Sequence, residues 1–197
     1  MYKKLYPKII DALVEDGYIV IEDALSEKLC SELLEEAKDE NAYQRAGISA
    51  ASEVHLDSNR RRDKIRWLEN TNKAQSEFLA FAKELQEQLN HELYLGLSYY
   101  EAHFAIYEKG DFYEKHLDAF KNSKNRVVTT VYYLNEKWSK EDGGELVVYD
   151  ENDTFLTKVL PKANTLVVFL SEKFPHEVLP SKKKRYSIAG WFRVDKF

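Results

Sequence analysis

Near Leu95 the chain changes period, and that change limits what it can fold into. Before it, apolar residues recur at helical spacing. After it come short runs of β-branched and aromatic residues, cut by turn signals at Lys109-Gly110-Asp111, Glu141-Asp142-Gly143-Gly144 and Leu160-Pro161-Lys162. The runs fall at 99–107, 113–118, 127–134, 145–149, 154–159, 165–170, 176–178 and 185–194. About eight short strands in about a hundred residues call for a sandwich or barrel, since only facing sheets bury so many half-apolar strands.

The first half supplies helices. Leu5, Ile9, Ile10, Leu13 and Val14 predict a helix over 2–15, ended by Asp16-Gly17, and 18–21 reads as a short strand. Ser26 caps a second helix carrying Leu29, Leu33, Leu34 and Ala37. Phe78, Phe81, Ala82, Leu85 and Leu89 mark the buried side of a third, over 74–89. Residues 41–60 are small, polar and turn-like, which predicts a mobile loop or hairpin leading into a strand at 64–68. The expected fold is α+β: a jelly-roll core, with the N-terminal helices packed on one outer face. With no linker or repeat dividing it, the chain is expected to be a single domain over 1–197.

Composition excludes several function classes. A single cysteine, Cys30, leaves no disulfide framework and no cysteine-rich zinc site. No apolar run is long enough to span a membrane and no signal-type segment opens the sequence, so a cytoplasmic location and no membrane partner are expected. The net charge of −5 argues against general nucleic-acid affinity. The local run Asn59-Arg60-Arg61-Arg62-Asp63-Lys64 reads as a solvated loop base or a protein contact. His55 and His91 read as surface residues.

The chemistry concentrates in the second half. If 113–118 is extended, alternation puts His116 and Asp118 on one face, two members of the two-histidine, one-carboxylate set that suits non-haem iron. His176 is the candidate third ligand. On the last strand Arg185, Ser187, Ala189 and Trp191 share a face, so small residues between a cation and an aromatic leave room for a small ligand. A guanidinium suits bidentate capture of a carboxylate. Thr129, Val131 and Tyr133 share a face of the middle strand, which lets Tyr133 offer a phenol to the same carboxylate.

These residues carry a resemblance. Tyr107, Tyr113, His116-Leu117-Asp118, Val131-Tyr132-Tyr133-Leu134-Asn135, Trp138, Gly143-Gly144-Glu145-Leu146, Pro175-His176-Glu177-Val178 and Arg185-Tyr186-Ser187-Ile188-Ala189-Gly190-Trp191 stand in the order found in Fe(II)- and 2-oxoglutarate-dependent oxygenases. Within that superfamily the chain is similar to the prolyl hydroxylases acting on hypoxia-inducible factor and their bacterial relatives acting on elongation factor Tu. Arg61 to Glu69 also resembles the strand closing that group's substrate-facing loop.

The resemblance implies a double-stranded β-helix core over 96–197, supported by 1–95, with a substrate-facing loop at 41–68. It makes His116, Asp118 and His176 the iron ligands and pairs Arg185, helped by Tyr133, with the distal carboxylate of 2-oxoglutarate. Tyr107, Leu146, Val178 and Trp191 would line the pocket. Arg61, Asp63, Tyr113 and Arg126 would face the substrate, with Asp63 and Arg126 as a charged pair. His103 departs from the apolar residue of the animal enzymes, and either tunes the cosubstrate or brings a further imidazole near iron. The implied reaction is hydroxylation of a prolyl residue in a protein loop, a translation factor being one candidate substrate. It would use Fe(II), 2-oxoglutarate and O2, with release of succinate and CO2 and with ascorbate as a candidate reductant.

Two alternatives compete. A nucleic-acid oxidative demethylase would use the same iron chemistry, but such enzymes commonly carry a second arginine close behind the first, and here the next is Arg193. A non-catalytic jelly-roll binding module would have lost the chemistry, which the complete ligand set argues against.

Overall fold

The computed structural model describes residues 2–46, 48–50, 53–55, 60–119 and 125–195; for 48–50 and 53–55 only the backbone is described. In chain order the elements are α1 (Leu5–Glu15), β1 (Tyr18–Ile21), α2 (Glu27–Ala37), β2 (Gln44–Arg45), β3 (Ile48–Ala50), β4 (Glu53–His55), β5 (Lys64–Trp67), α3 (Lys73–Leu93), β6 (Tyr99–Tyr107), β7 (Tyr113–His116), β8 (Arg126–Tyr133), β9 (Leu146–Tyr149), β10 (Phe155–Val159), β11 (Leu166–Leu170), β12 (His176–Val178) and β13 (Arg185–Arg193). Two sheets face one another: a major sheet ordered β1-β11-β8-β13-β6-β5-β2 and a minor sheet ordered β10-β9-β12-β7. This is the expected α+β double-stranded β-helix.

Side-chain alternation along the major strands builds two apolar layers. Phe104, Val128, Tyr132, Ile188 and Phe192 point outward onto Phe78, Phe81, Leu85 and Leu89 of α3 and onto α1 and α2. Ala105, Val131, Tyr133, Val167 and Phe169 point inward, toward Leu146, Val148 and Val178 of the minor sheet. The helices thus cover one outer face. Their ends follow local chemistry: the Ser26 hydroxyl accepts from the Leu29 amide at 3.1 Å, and Asn72 caps α3 by accepting from the Gln75 amide at 3.0 Å.

Three details refine the sequence reading. The major sheet recruits β1, β2 and β5 from the first half, so support and core share one sheet. The loop-or-hairpin segment contains an antiparallel pair, Ile48↔His55 to Ala50↔Glu53; its residues 47, 51–52 and 56–59 lie outside the described residues. And the chain from Arg60 to Arg62 pairs along the edge of β7 before β5 joins β6. One short segment therefore stitches the minor sheet to the major one at the side of the cleft.

Gly190 makes a close approach possible in this packing. A Cβ there would sit 2.1 Å from the Tyr100 hydroxyl, which is hydrogen-bonded to Thr130 Oγ1 at 2.8 Å. Gly190→Ala is expected to destabilise the fold by about 1–3 kcal/mol through overpacking. Urea melts of the two proteins check this.

Candidate active site

The inner face of the major sheet is laid out in rows set by strand register. Arg185 pairs with Tyr107, Ser187 lies between Ala105 and Tyr133, Ala189 between His103 and Val131, and Trp191 between Glu101 and Thr129. The floor of the cleft is therefore a run of small residues, Ala105, Ser187 and Ala189. It is bounded at one end by Arg185 and its phenols and at the other by His103 and Trp191.

Three ligand-capable side chains stand on one wall. His116 at the end of β7 and His176 at the start of β12 are register partners, with ring centroids 4.3 Å apart. Nδ1 of His116 donates to the Glu114 carbonyl at 2.7 Å, and Nδ1 of His176 donates to the Phe174 carbonyl at 2.9 Å. These bonds assign the tautomers and turn both Nε2 lone pairs inward. Each Nε2 lies 3.6 Å from an Asp118 oxygen, and the three ligand atoms are all within 4.8 Å of one another. Burial first, and then the neighbouring His116 imidazole, pushes His176 down to about 4, so it is neutral at pH 7. Two imidazoles and a carboxylate then converge, a donor set that a divalent cation completes.

β7 ends at His116, so alternation is not what brings Asp118 to the same place. Asp118 lies in a bend beyond the strand and is held there by Thr129, whose hydroxyl donates to Asp118 Oδ2 at 2.9 Å. Ser171 Oγ stands 2.8 Å behind Thr129 Oγ1, and both residues are buried. Sequence reasoning placed Thr129 on the correct face but assigned it no role, and it missed Ser171. The available signal was a polar residue one strand step from Val131 on an otherwise apolar face.

Arg185 is 1 % exposed, and its guanidinium lies 4.8 Å from the Tyr107 ring centroid and 4.9 Å from that of Tyr133. Among the described residues it has no carboxylate within ion-pair distance; its one hydrogen bond runs to Ser187 Oγ at 3.3 Å. Among the described residues Arg185 Nε and the Tyr133 hydroxyl are buried without a hydrogen-bond partner. Burial raises both phenols, Tyr107 the more strongly, so each stays protonated. A cation and a hydroxyl left unsatisfied at the closed end of a cleft form the complement of a carboxylate. Gly144 makes room for the arginine stem. It sits at φ +73°, where a Cβ would stand 3.3 Å from Arg185 Cδ and 2.8 Å from Ser181 Cβ.

The remaining expected residues occupy the walls and mouth. Leu146, Val178 and Trp191 line the cleft. Tyr113 stacks on the His116 ring at 3.6 Å, and Arg61 lies 4.6 Å over Tyr113. The expected Asp63–Arg126 pair is not formed. Asp63 is held bidentately by Arg61, at 2.6 and 2.9 Å, because a two-residue spacing at the corner beside β5 puts both on one side of the chain. Arg126 instead reaches Glu101 at 3.4 Å and lies 3.8 Å over Trp191. The basic run is absorbed locally: Arg60 pairs with Glu114, Arg62 lies over Phe112 and Lys64 pairs with Glu108. Arg193 hydrogen-bonds Glu101 at 2.6 Å and does not line the cleft.

His103 is not among the three clustered ligands. It is buried on the cleft wall edge-on to Trp67, with its ring 5.4 Å from that of Trp191. Burial, then the Arg61 cation, pushes it down to about 4, with Asp63 opposing and Arg126 adding to the fall. The unfolded chain protonates such a group near 6.5 and the folded chain does not. Stability is therefore expected to fall as pH drops from about 6.5 to about 4, by on the order of 3 kcal/mol from this residue. His103→Met removes that share, and urea midpoints of both proteins at pH 7 and pH 4.5 check it.

Comparison with known proteins fits this geometry. The family model of the 2OG-Fe(II) oxygenase superfamily matches residues 102–193. Prolyl hydroxylase EGLN3 of Homo sapiens is 32% identical over 205 residues, covering 93% of this chain and 81% of that protein. The crystal structure of a Pseudomonas putida prolyl-4-hydroxylase superimposes with a TM-score of 0.86 at 35% identity, covering 97% of this chain and 100% of that one. A prolyl hydroxylase in complex with a hypoxia inducible factor oxygen degradation domain peptide fragment, from Trichoplax adhaerens, shares the fold. Its TM-score is 0.86 at 24% identity, over 98% of this chain and 90% of that one. Family model, full-length similarity and cleft chemistry agree: the chain belongs to the 2OG-Fe(II) oxygenase superfamily and, within it, to the prolyl hydroxylases.

Proposed function

We propose that this chain hydroxylates a prolyl residue in a protein substrate, using Fe(II), 2-oxoglutarate and O2 and releasing succinate and CO2. The observation that carries this reading is the buried Arg185, which among the described residues has no carboxylate partner, with the Tyr133 hydroxyl beside it lacking a hydrogen bond there, at the closed end of a cleft whose wall holds His116, Asp118 and His176. The likeness to EGLN3 and to the Pseudomonas putida prolyl-4-hydroxylase supports a prolyl target.

In this reading His116 Nε2, Asp118 and His176 Nε2 hold the iron, and Arg185 with Tyr133 receives the distal carboxylate of 2-oxoglutarate. Iron held there would supply the chemistry that couples oxidative decarboxylation of the 2-oxo acid to hydroxylation of a C–H bond. The chain's own part is binding, orientation and exclusion of water. Arg185 fixes one end of the cosubstrate by a fork that a lysine does not supply. Tyr107, Leu146, Val178 and Trp191 enclose the rest. Ala105, Ser187 and Ala189 keep the floor clear. Arg61, Asp63, Tyr113 and Arg126 form the mouth that an incoming protein segment meets.

We further infer that residues 1–197 act as one catalytic domain, supported by strands from both halves joining one sheet. Among the described residues no helix is long and apolar enough to cross a membrane, and a cytoplasmic location is part of the same proposal. Nucleic acid is disfavoured as substrate by the locally neutralised basic run and the capture of Arg193 by Glu101.

The test is anaerobic addition of Fe(II) and 2-oxoglutarate to metal-free protein. The expected result is a weak visible charge-transfer band that vanishes when O2 is admitted. Proline-containing peptides, translation-factor loops first, are then expected to gain one oxygen atom in mass. A protein that binds metal but forms no such band overturns the cosubstrate assignment and leaves a binding module. Oxidation of methylated oligonucleotides rather than peptides would move the substrate to nucleic acid.

A further inference from the structure

The two candidate imidazole ligands are held by different parts of the molecule. His176 begins β12, which runs between β9 and β7 inside the minor sheet, and its ring meets Phe169 edge-on at 4.9 Å. His116 ends β7, the last strand of that sheet, and its side chain is the more exposed, at 14 % against 6 %. An edge strand leaves a row of N–H and C=O groups unpaired. Here residues 60–62 take them up. The Glu114 amide donates to the Arg60 carbonyl at 2.9 Å, and the Arg62 amide donates to the Phe112 carbonyl at 3.2 Å. Glu114 joins this strap to the metal wall, because its own carbonyl accepts from His116 Nδ1 at 2.7 Å.

Side chains repeat the connection. Tyr113 lies flat on the His116 ring, with 3.6 Å between centroids and 18° between planes. The Arg61 guanidinium lies 4.6 Å from the centre of the same Tyr113 ring. Arg61 is itself locked by two bonds, 2.6 and 2.9 Å, to the buried Asp63 carboxylate. The hydrogen bond at Nδ1 fixes one point of the imidazole but leaves its plane free to tilt. The flat stack on Tyr113 removes that freedom. Nε2, the nitrogen facing Asp118, is thus aimed by a carbonyl and a ring that both lean on the strap.

We propose that Tyr113 and Arg61 are positioning residues for His116, and that the strap at 60–62 and iron support one another. Iron needs the His116 lone pair aimed at it, and loss of an outer-sphere partner costs a metal about 10–100-fold in affinity. Such coupling is reciprocal, so iron bound more tightly with the strap in place holds the strap in place by the same factor. The segment read as meeting an incoming protein is therefore also the one that secures a metal ligand. This inference rests on the assignment of His116, Asp118 and His176 as iron ligands.

Fe(II) affinity and amide hydrogen exchange, both measured anaerobically without 2-oxoglutarate, test it. Equilibrium dialysis compares wild-type, Tyr113→Leu, Tyr113→Phe and Arg61→Lys proteins. Tyr113→Leu keeps an apolar side chain and the Arg61–Asp63 pair but removes the flat ring. It should bind Fe(II) about 10–100-fold more weakly. Tyr113→Phe keeps the ring and should match wild-type. Arg61→Lys keeps a cation beside Asp63 without the planar fork, and should weaken Fe(II) about tenfold, the low end of that range. It carries the test if the leucine variant melts below the assay temperature. In exchange, Fe(II) should slow the Glu114 and Arg62 amides of wild-type about tenfold more than the Leu179 amide. That control amide bonds to the Glu145 carbonyl on the β9 side of β12. The excess should vanish in Tyr113→Leu, whereas a merely looser fold would speed all three amides together.

Wild-type Fe(II) affinity in Tyr113→Leu overturns the inference, as does an iron effect on Glu114 and Arg62 no larger than on Leu179. A phenylalanine variant that behaves like leucine overturns the stacking argument, and wild-type affinity in Arg61→Lys overturns the part assigned to Arg61. Failure of wild-type protein to bind Fe(II) is a different result. It would overturn the ligand assignment itself.

Discussion

Asp118→Ala is expected to reduce Fe(II)-dependent 2-oxoglutarate turnover to the level of metal-free protein while leaving a cooperative thermal transition in place. The separation of the two effects follows from where the residue stands. Asp118 lies in a bend after β7 and belongs to neither apolar layer, so its loss opens little apolar surface. Its contacts are the two facing imidazoles and the Thr129 hydroxyl. Thr129 remains hydrogen-bonded to Ser171 when the carboxylate goes, so no hydroxyl is orphaned. The expected change in stability is therefore small, about 1 kcal/mol or less in either direction. Iron is another matter: two neutral imidazoles supply no charge to balance a divalent cation. Turnover, equilibrium dialysis against Fe(II) and a thermal melt check the three statements, and unchanged turnover would place the metal elsewhere.

That the candidate ligand cluster is legible in the sequence, while much of the rest is not, has a physical basis. Ligand chemistry is carried by residue type: a histidine two positions from an aspartate, and a later histidine before a final strand, name themselves. The strand pattern was legible for the same reason. The jelly roll alternates inward and outward positions, and β6, β8 and β13 each run for eight or nine residues with that alternation intact. What sequence does not carry is the partner across space. Alternation gave His116 and Asp118 a common face, yet the strand stops between them and a threonine from β8 does the holding. A charged pair between Asp63 and Arg126 was expected from resemblance. Arg61, two residues from Asp63, reaches it bidentately first. His103 was read as either cosubstrate tuner or extra imidazole. Its distance from the ligand cluster follows from its register opposite Ala189, which no local pattern records. The pairing of Arg60 to Arg62 with β7 was equally hidden, because three arginines in a row look like a solvated loop until a facing strand supplies Glu114 and Phe112.

Arg185→Ala is expected to raise the 2-oxoglutarate requirement by about two to three orders of magnitude, and Arg185→Met to raise the melting temperature of the protein without cosubstrate. The two effects have opposite signs because the guanidinium is a cost in one state and a contact in the other. Without cosubstrate it is buried with one long hydrogen bond to Ser187, an unpartnered Nε and no carboxylate in reach among the described residues. Replacing such a charge by an apolar chain of similar volume is neutral or stabilising by about 1–4 kcal/mol. With 2-oxoglutarate bound, the same group makes the charge-assisted bonds that orient the cosubstrate, and truncating a buried charged partner costs about 2–5 kcal/mol. At about 1.4 kcal/mol per tenfold, the upper part of that range is the stated rise in requirement. Arg185→Lys separates charge from shape: the ammonium retains attraction but not the fork, so its requirement should fall between wild-type and alanine. Thermal melts with and without 2-oxoglutarate, run on all four proteins, measure both signs in one experiment. Wild-type should gain the most from cosubstrate and Arg185→Met the least. An alanine variant with a wild-type requirement would move the carboxylate anchor away from Arg185, to Lys184 first, the adjacent cation now paired with Glu108 at 3.2 Å.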